Sequence, residues 1–301
     1  MAVARVGSAL DRTFVMIFSG MALGLVLEIE GAWIGPVAVL LLGALMVLSL
    51  AAFELPRRRS DARGALVALL LGVGVLSPAF LLVGRIFPAE TWGGWVFLAA
   101  APSAISVIPY ATVLRGDVRL ALAGTLVTYA AAFAFLPGIA FAFLGAAVDL
   151  LPLVEATAFL LLVPLLLSRP LCRLAIPTRT LERGRNVLFL AVYALVTAAI
   201  RDVILGDPAG TAVVLGGAGL AIVLAFGTWT AVGRPRAYPE AVRVTYGLFA
   251  SFKNQTLASA LALAFLGPVA ALPAVLAGVF EAVWLLVLAR VGHVGPRFPA
   301  G

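Results

Sequence analysis

Trp33–Phe53 reads WIGPVAVLLLGALMVLSLAAF, 21 consecutive residues without a charge. An α-helix rises about 1.5 Å per residue, so this stretch covers roughly 30 Å, the thickness of a bilayer's hydrocarbon core. Its apolar residues are continuous rather than alternating, which argues against a barrel strand. Phe14–Leu27 and Ala65–Val83 have the same character. Over the 301 residues, 63% are hydrophobic and 12% charged, about half the charge of a typical soluble domain. These numbers describe a chain that lives in lipid.

Extending the reading outward gives an all-α membrane protein with ten transmembrane helices, at 13–29, 33–54, 64–84, 94–114, 118–143, 150–168, 187–204, 211–232, 244–265 and 268–290. The arginines test that division. With the N-terminus in the cytoplasm, the inner links hold Arg57, Arg58, Arg59, Arg63, Arg115, Arg119, Arg169, Arg173, Arg179, Arg183, Arg185, Arg234, Arg236 and Arg243. The tails add Arg5, Arg12, Arg290 and Arg297, while the outer links hold only Arg85 and Arg201. Positive charge collects on the cytoplasmic side of membrane proteins. The expectation is therefore a multi-pass protein of the inner or plasma membrane, with both termini cytoplasmic. The first apolar block reads as an uncleaved helix rather than a signal peptide, because the chain re-enters the membrane at Trp33.

The formal charge of +7 invites a nucleic-acid partner, but its placement in the links follows from topology alone. No nucleic-acid partner is expected. A single Cys172 and a single His293 supply neither a disulfide nor a metal or histidine-based catalytic set, so no metal, cofactor or catalytic residue is assigned. Trp33, Trp92, Trp95 and Trp229 fall near segment ends and read as interfacial anchors.

The ten segments divide into five and five, 1–143 and 144–301. The fourth segment of each half carries a polar interruption: Pro102–Ser106 with Pro109, and Ser251–Thr256. Five is odd, so equivalent halves would be oppositely oriented. Two inverted five-helix repeats with discontinuous helices 4 and 9 are the arrangement in which transporters place a midplane site. In segment 4 each proline removes an amide donor and obstructs the preceding turn, and Ser103 and Ser106 stand ready to satisfy freed backbone groups.

Segment 9 contains Lys253, the only lysine of the chain, followed by Asn254, Gln255 and Thr256. It lies about nine residues into the segment, roughly 14 Å deep at 1.5 Å per residue. A bare ammonium there costs several kcal/mol, so a polar site is expected around it. Glu281 in segment 10 reaches a similar depth, which suggests a Lys253–Glu281 pair. Glu155, nearer its segment's end, reads as reaching the outer interface.

Pro102–Leu122, with Tyr110 and the Arg115-Gly116-Asp117-Val118 turn, and Asn254–Trp284 resemble the two crossing-helix regions of the bile acid:sodium symporter family, in the bile/arsenite/riboflavin transporter superfamily. The resemblance extends from the first segment to about residue 290. It implies a core domain of segments 3–5 and 8–10, a panel of segments 1, 2, 6 and 7, and cargo between them near the crossing of segments 4 and 9. It also implies organic anions, bile acids among them, as the cargo class.

At the positions where the family coordinates sodium, this chain departs. Phe249 stands at the expected glutamate, Lys253 at the glutamine of segment 9 and Val73 at the glutamine of segment 3. Ile105 and Ser106 take the polar pair of segment 4, and Ala121 replaces a serine while Thr125 keeps the threonine. Lost oxygen ligands beside a fixed cation disfavour sodium.

The reading is a sodium-independent secondary transporter of a small or amphipathic organic anion, in contact with membrane lipid and not an enzyme. Its site residues are Ser103, Ser106, Pro109, Thr125, Ser251, Lys253, Asn254, Gln255, Thr256 and Glu281. Competing readings are a sodium- or proton-coupled symporter of another metabolite, and a membrane receptor of this fold. Ligand binding without flux would favour the receptor.

Overall fold

The computed structural model describes residues 15–31, 33–51, 62–174, 176–233 and 237–294. It is an all-α, multi-pass bundle. Among the described residues, six helical stretches are long and apolar enough to cross a membrane: Ile34–Ala51, Ala62–Gly84, Val118–Ala147, Leu150–Arg173, Pro208–Val232 and Pro268–Arg290. In chain order the helices are α1 (Val15–Val26), α2 (Ile34–Ala51), α3 (Ala62–Leu69), α4 (Ser77–Gly84), α5 (Ala89–Ala100), α6 (Val107–Val113), α7 (Val118–Leu144) and α8 (Leu150–Arg173). They continue as α9 (Thr178–Ala199), α10 (Arg201–Gly206), α11 (Pro208–Val232), α12 (Glu240–Phe249), α13 (Gln255–Leu266) and α14 (Pro268–Val294).

Several expected boundaries move: segment 6 runs on to Arg173, segment 8 begins at Pro208 and segment 9 at Glu240. Segment 7 begins at Thr178 rather than 187, because the charged stretch with Arg179, Glu182, Arg183 and Arg185 stays helical as the first turns of α9. Segment 4 begins at Ala89, with Glu90 in the first turn, where the helix dipole favours an acid. Arg5, Arg12, Arg57, Arg58, Arg59, Arg234, Arg236 and Arg297 lie outside the described residues.

A wide turn joins α3 to α4: Leu70–Leu76 is wound as a π-helix, and the Ser77 amide donates back to Gly72 O. Pro78 follows and has no amide for the carbonyl four residues earlier, so the ladder loosens just ahead of it. That widening brings the Ser77 hydroxyl to Ala99 O, at the end of α5.

The centre of the bundle is α5, which packs against α4, α7, α13 and α14. Gly93–Ser103 is buried without interruption, as expected of a helix that is apolar all round. At Gly94 a Cβ would lie 2.0 Å from Ala270 O, so only glycine permits this approach to α14. On the other flank, α2 packs on α8, α9 and α13. Gly217 and Gly219 of α11 receive the rings of Phe87 and Phe280, so these small residues make room for aromatic neighbours. Exposed leucines and valines such as Leu82, Leu166 and Leu286 lie on the outside, as lipid contact requires.

The anchor reading holds for neither Trp95 nor Trp229. Trp95 is fully buried between Phe80 and Phe87. Trp229 is buried among Tyr238 and Tyr246. Trp92 instead keeps a partly exposed position under the Arg85 guanidinium, 4.2 Å from the ring centroid.

Candidate functional site

Both interruptions are present, and they meet. Helix α5 ends at Ala100, Ala101 is extended, and α6 starts only at Val107. Helix α12 ends at Phe249 and α13 starts at Gln255. Ser103 and Lys253 pair as an antiparallel bridge: Asn254 N donates to Pro102 O at 2.8 Å, and Ala104 N donates to Phe252 O at 3.3 Å. Breaking a helix in an apolar interior strands amides and carbonyls that must be paired. Here each break completes part of the other.

Lys253 provides for the carbonyls the bridge does not use. The side chain is 1% exposed. Its ammonium donates to Ser77 Oγ at 2.9 Å, Ala99 O at 3.0 Å and Ala101 O at 2.7 Å. An ammonium has three protons to donate, and all three are used. Ala99 and Ala101 lie at the C-terminal end of α5, where unpaired carbonyls concentrate negative potential. The Ser77 hydroxyl also approaches Gly72 O at 3.0 Å, tying the cradle to the π-turn.

The expected Lys253–Glu281 pair takes another form. The carboxylate does not reach the ammonium; Glu281 Oε1 accepts from the Lys253 backbone amide at 3.0 Å. Gln255 Nε2 donates to the other oxygen. Glu281 is 2% exposed, so α14 delivers a buried acceptor to the donors of the second break. Asn254 caps α13 by accepting from Leu257 N at 3.0 Å, and its amide donates to Tyr129 OH at 2.6 Å. Thr256 Oγ1 faces Tyr193 OH of α9 at 3.4 Å.

Of the residues singled out by sequence, Ser103, Ser251, Lys253, Asn254, Gln255, Thr256 and Glu281 gather at or beside the crossing. Ser103 Oγ and Ser251 Oγ are buried without a hydrogen-bond partner among the described residues, so neither compensates the broken backbone there. Ser106 precedes α6 without a side-chain cap and is bonded to the Tyr110 hydroxyl instead. Pro109 lies in the first turn of α6, where a missing amide costs little; Pro102 marks the break. Thr125 on α7 is buried, its hydroxyl unpartnered among the described residues, beside Gly124, which packs on the Phe249 ring. Glu155 is exposed near the start of α8.

Sequence reasoning missed Ser77, Tyr129 and Tyr193. The Ser77-Pro78 step was the available signal for the first, since proline after a glycine-rich helical stretch announces a local break. A narrow cleft lies behind the crossing, lined by Gly72, Val73, Ser103, Thr128 and Lys253, with room for little more than a water. No protein-family model matches the sequence, and no curated protein is significantly similar to it.

Proposed function

We propose that the chain is a secondary carrier of small or amphipathic organic anions, working by alternating access without sodium, with Lys253 as a tethered cation at the crossing. One observation carries the reading: a fully buried ammonium gives all three protons to the hydroxyl and helix-end carbonyls around a break. A bound metal ion would make similar demands on oxygen ligands, and a covalently attached ammonium meets them without being exchanged. The carrier would then run uncoupled from sodium.

Several further features support the reading. Ten crossings in two inverted five-helix repeats, 1–143 and 144–301, would put α5–α6 and α12–α13 at equivalent places in opposite directions. An antiparallel bridge between the breaks fits that symmetry. The likeness to bile acid:sodium symporters supplies the division into a core (third to fifth and eighth to tenth segments) and a panel, and the distribution of the arginines favours cytoplasmic termini. Cargo would bind between them, and core–panel motion would change its exposure. Phe249 is fully buried against Gly124, an apolar contact at the position that the resemblance matches to a sodium-binding carboxylate of the family.

The test is uptake of a radiolabelled organic-anion panel into proteoliposomes, with and without a sodium gradient. Uptake should be indifferent to sodium and should collapse in Lys253→Met, with equal reconstitution checked by size exclusion. Sodium-driven uptake, or wild-type uptake in Lys253→Met, would refute the tethered-cation mechanism. Saturable binding without flux would turn the reading toward a receptor.

A further inference from the structure

We propose that Arg185 receives the anionic head of the cargo, with Phe189 and Tyr193 below it lining the way to the helix crossing. The role in flux rests on the carrier reading; the binding of an anion does not. Arg185, Phe189 and Tyr193 are spaced by four on α9, so they share one helix face. Arg185 and Phe189 are half-buried and Tyr193 is buried, so the stripe becomes progressively enclosed along the helix. At its enclosed end the Tyr193 hydroxyl faces Thr256 Oγ1 at 3.4 Å and stands within electrostatic reach of Glu281. The rings of Phe189 and Tyr193 are 6.4 Å apart. The stripe therefore looks onto the broken helices.

The open end holds the unused donor. Arg185 Nε is buried and has no hydrogen-bond partner among the described residues. Among the described residues, Glu182 of its own helix and Tyr110 of α6 stand within electrostatic reach of this guanidinium. Tyr110 in turn is bonded to Ser106 at the first break. A guanidinium N–H removed from water and left unpaired is unfavourable until an acceptor arrives. Carboxylate and sulfonate oxygens suit its planar fork, which can hold two of them at once. The aromatic ring next along the stripe offers an apolar surface, and the tyrosine hydroxyl a polar end. The combination fits an amphipathic monoanion: head on Arg185, body along Phe189.

Three probes test this: 2-naphthoate, naphthalene-2-sulfonate and decanoate. Binding to purified protein in phosphatidylcholine nanodiscs is measured by scintillation proximity, with uncharged 2-naphthamide as competitor. At least one anion should bind saturably, 2-naphthamide should not displace it, and Arg185→Gln should weaken it about tenfold or more. Arg185→Lys, which keeps the charge but not the fork, should fall between. Phe189→Ala should weaken naphthoate while leaving chloride competition unchanged.

The inference is overturned if none of the three anions binds wild type saturably, if 2-naphthamide displaces them equally, or if folded Arg185→Gln binds as wild type does. Should Arg185→Gln not fold, Arg185→Lys carries the test, and wild-type affinity there overturns the bidentate contact. Loss of binding on moving to phosphatidylglycerol nanodiscs would assign Arg185 to lipid headgroups instead. Saturable, Arg185-dependent binding with no uptake into proteoliposomes would leave the inference standing and remove the carrier reading.

Discussion

Replacing Lys253 with alanine removes Cγ through Nζ and takes the ammonium from Ser77 Oγ, Ala99 O and Ala101 O, of which Ala99 O keeps the Ser77 hydroxyl as a donor. The three contacts measure 2.9, 3.0 and 2.7 Å. Hydrogen bonds to a charged group contribute about 1.5–3 kcal/mol each, but they are not independent, because the ammonium is also released from a costly burial. Breaking a buried charged contact typically destabilises by about 3–5 kcal/mol, and that range is the expectation for Lys253→Ala. The cavity has the shape of the deleted atoms, which are those of propylammonium. A ligand that binds only the folded state at a hundredfold excess over its Kd restores about 2.7 kcal/mol.

The assay is thermal unfolding in nanodiscs at constant ionic strength. Propylammonium should raise the Tm of Lys253→Ala saturably, tetramethylammonium should not because it has no N–H to donate, and wild type should respond to neither. Sodium should give no saturable stabilisation of wild type, whose cradle is already filled. Two outcomes would defeat the reasoning: Lys253→Ala as stable as wild type, or propylammonium and tetramethylammonium acting alike.

Gly94→Ala should disrupt the bundle core, because its Cβ would lie 2.0 Å from Ala270 O and crowd Pro273. A loss on the order of 1–3 kcal/mol should appear as a lower Tm, and an unchanged Tm would mean that α5 and α14 part easily. Topology is open to labelling: with Cys172 replaced by serine, a cysteine at Arg119 should react with impermeant maleimide only from the cytoplasmic side, and one at Asp207 only from outside. Reversed labelling would invert the orientation read from the arginines.

The bundle was legible because hydrocarbon thickness and the cost of unpaired backbone leave continuous apolar helices as the remaining choice. Boundaries were legible where chemistry changed with structure, as at Asp117, which caps α7 by accepting from Arg119 N and Leu120 N. They were not legible at α9, because Glu182, Arg183 and Arg185 mark where the apolar stretch ends while the helix continues past them. Trp95 was misread for a related reason. Depth can be estimated from position in a segment, but the direction a side chain faces needs an amphipathic pattern, and Ala89–Ala100 has little. Lys253 stood out as the lone lysine. Its partners did not, because two of the three are backbone carbonyls, which every residue carries, and the third is presented by a π-turn.

The placement of Lys253 and Glu281 follows from what a broken helix lacks. A helix that stops leaves carbonyls unpaired, and one that starts leaves amides unpaired. Lys253 supplies donors to the carbonyl end of α5, and Glu281 supplies an acceptor to an amide just before α13. Each charge thus answers a different backbone deficit, although the two residues are joined through one amide. A double-mutant cycle separates this arrangement from an ion pair. In an ion pair, removing the second charge relieves the stranded first, so Lys253→Met/Glu281→Leu would be more stable than Lys253→Met alone. With separate backbone partners, the second substitution strands the Lys253 amide as well, and the double variant should be less stable than either single one. The added loss should be about 1–3 kcal/mol for a buried donor left unpaired, read as a further fall in Tm in nanodiscs. A double variant more stable than Lys253→Met would show that the two charges serve chiefly each other, and the account of them as terminators of two broken helices would have to be abandoned.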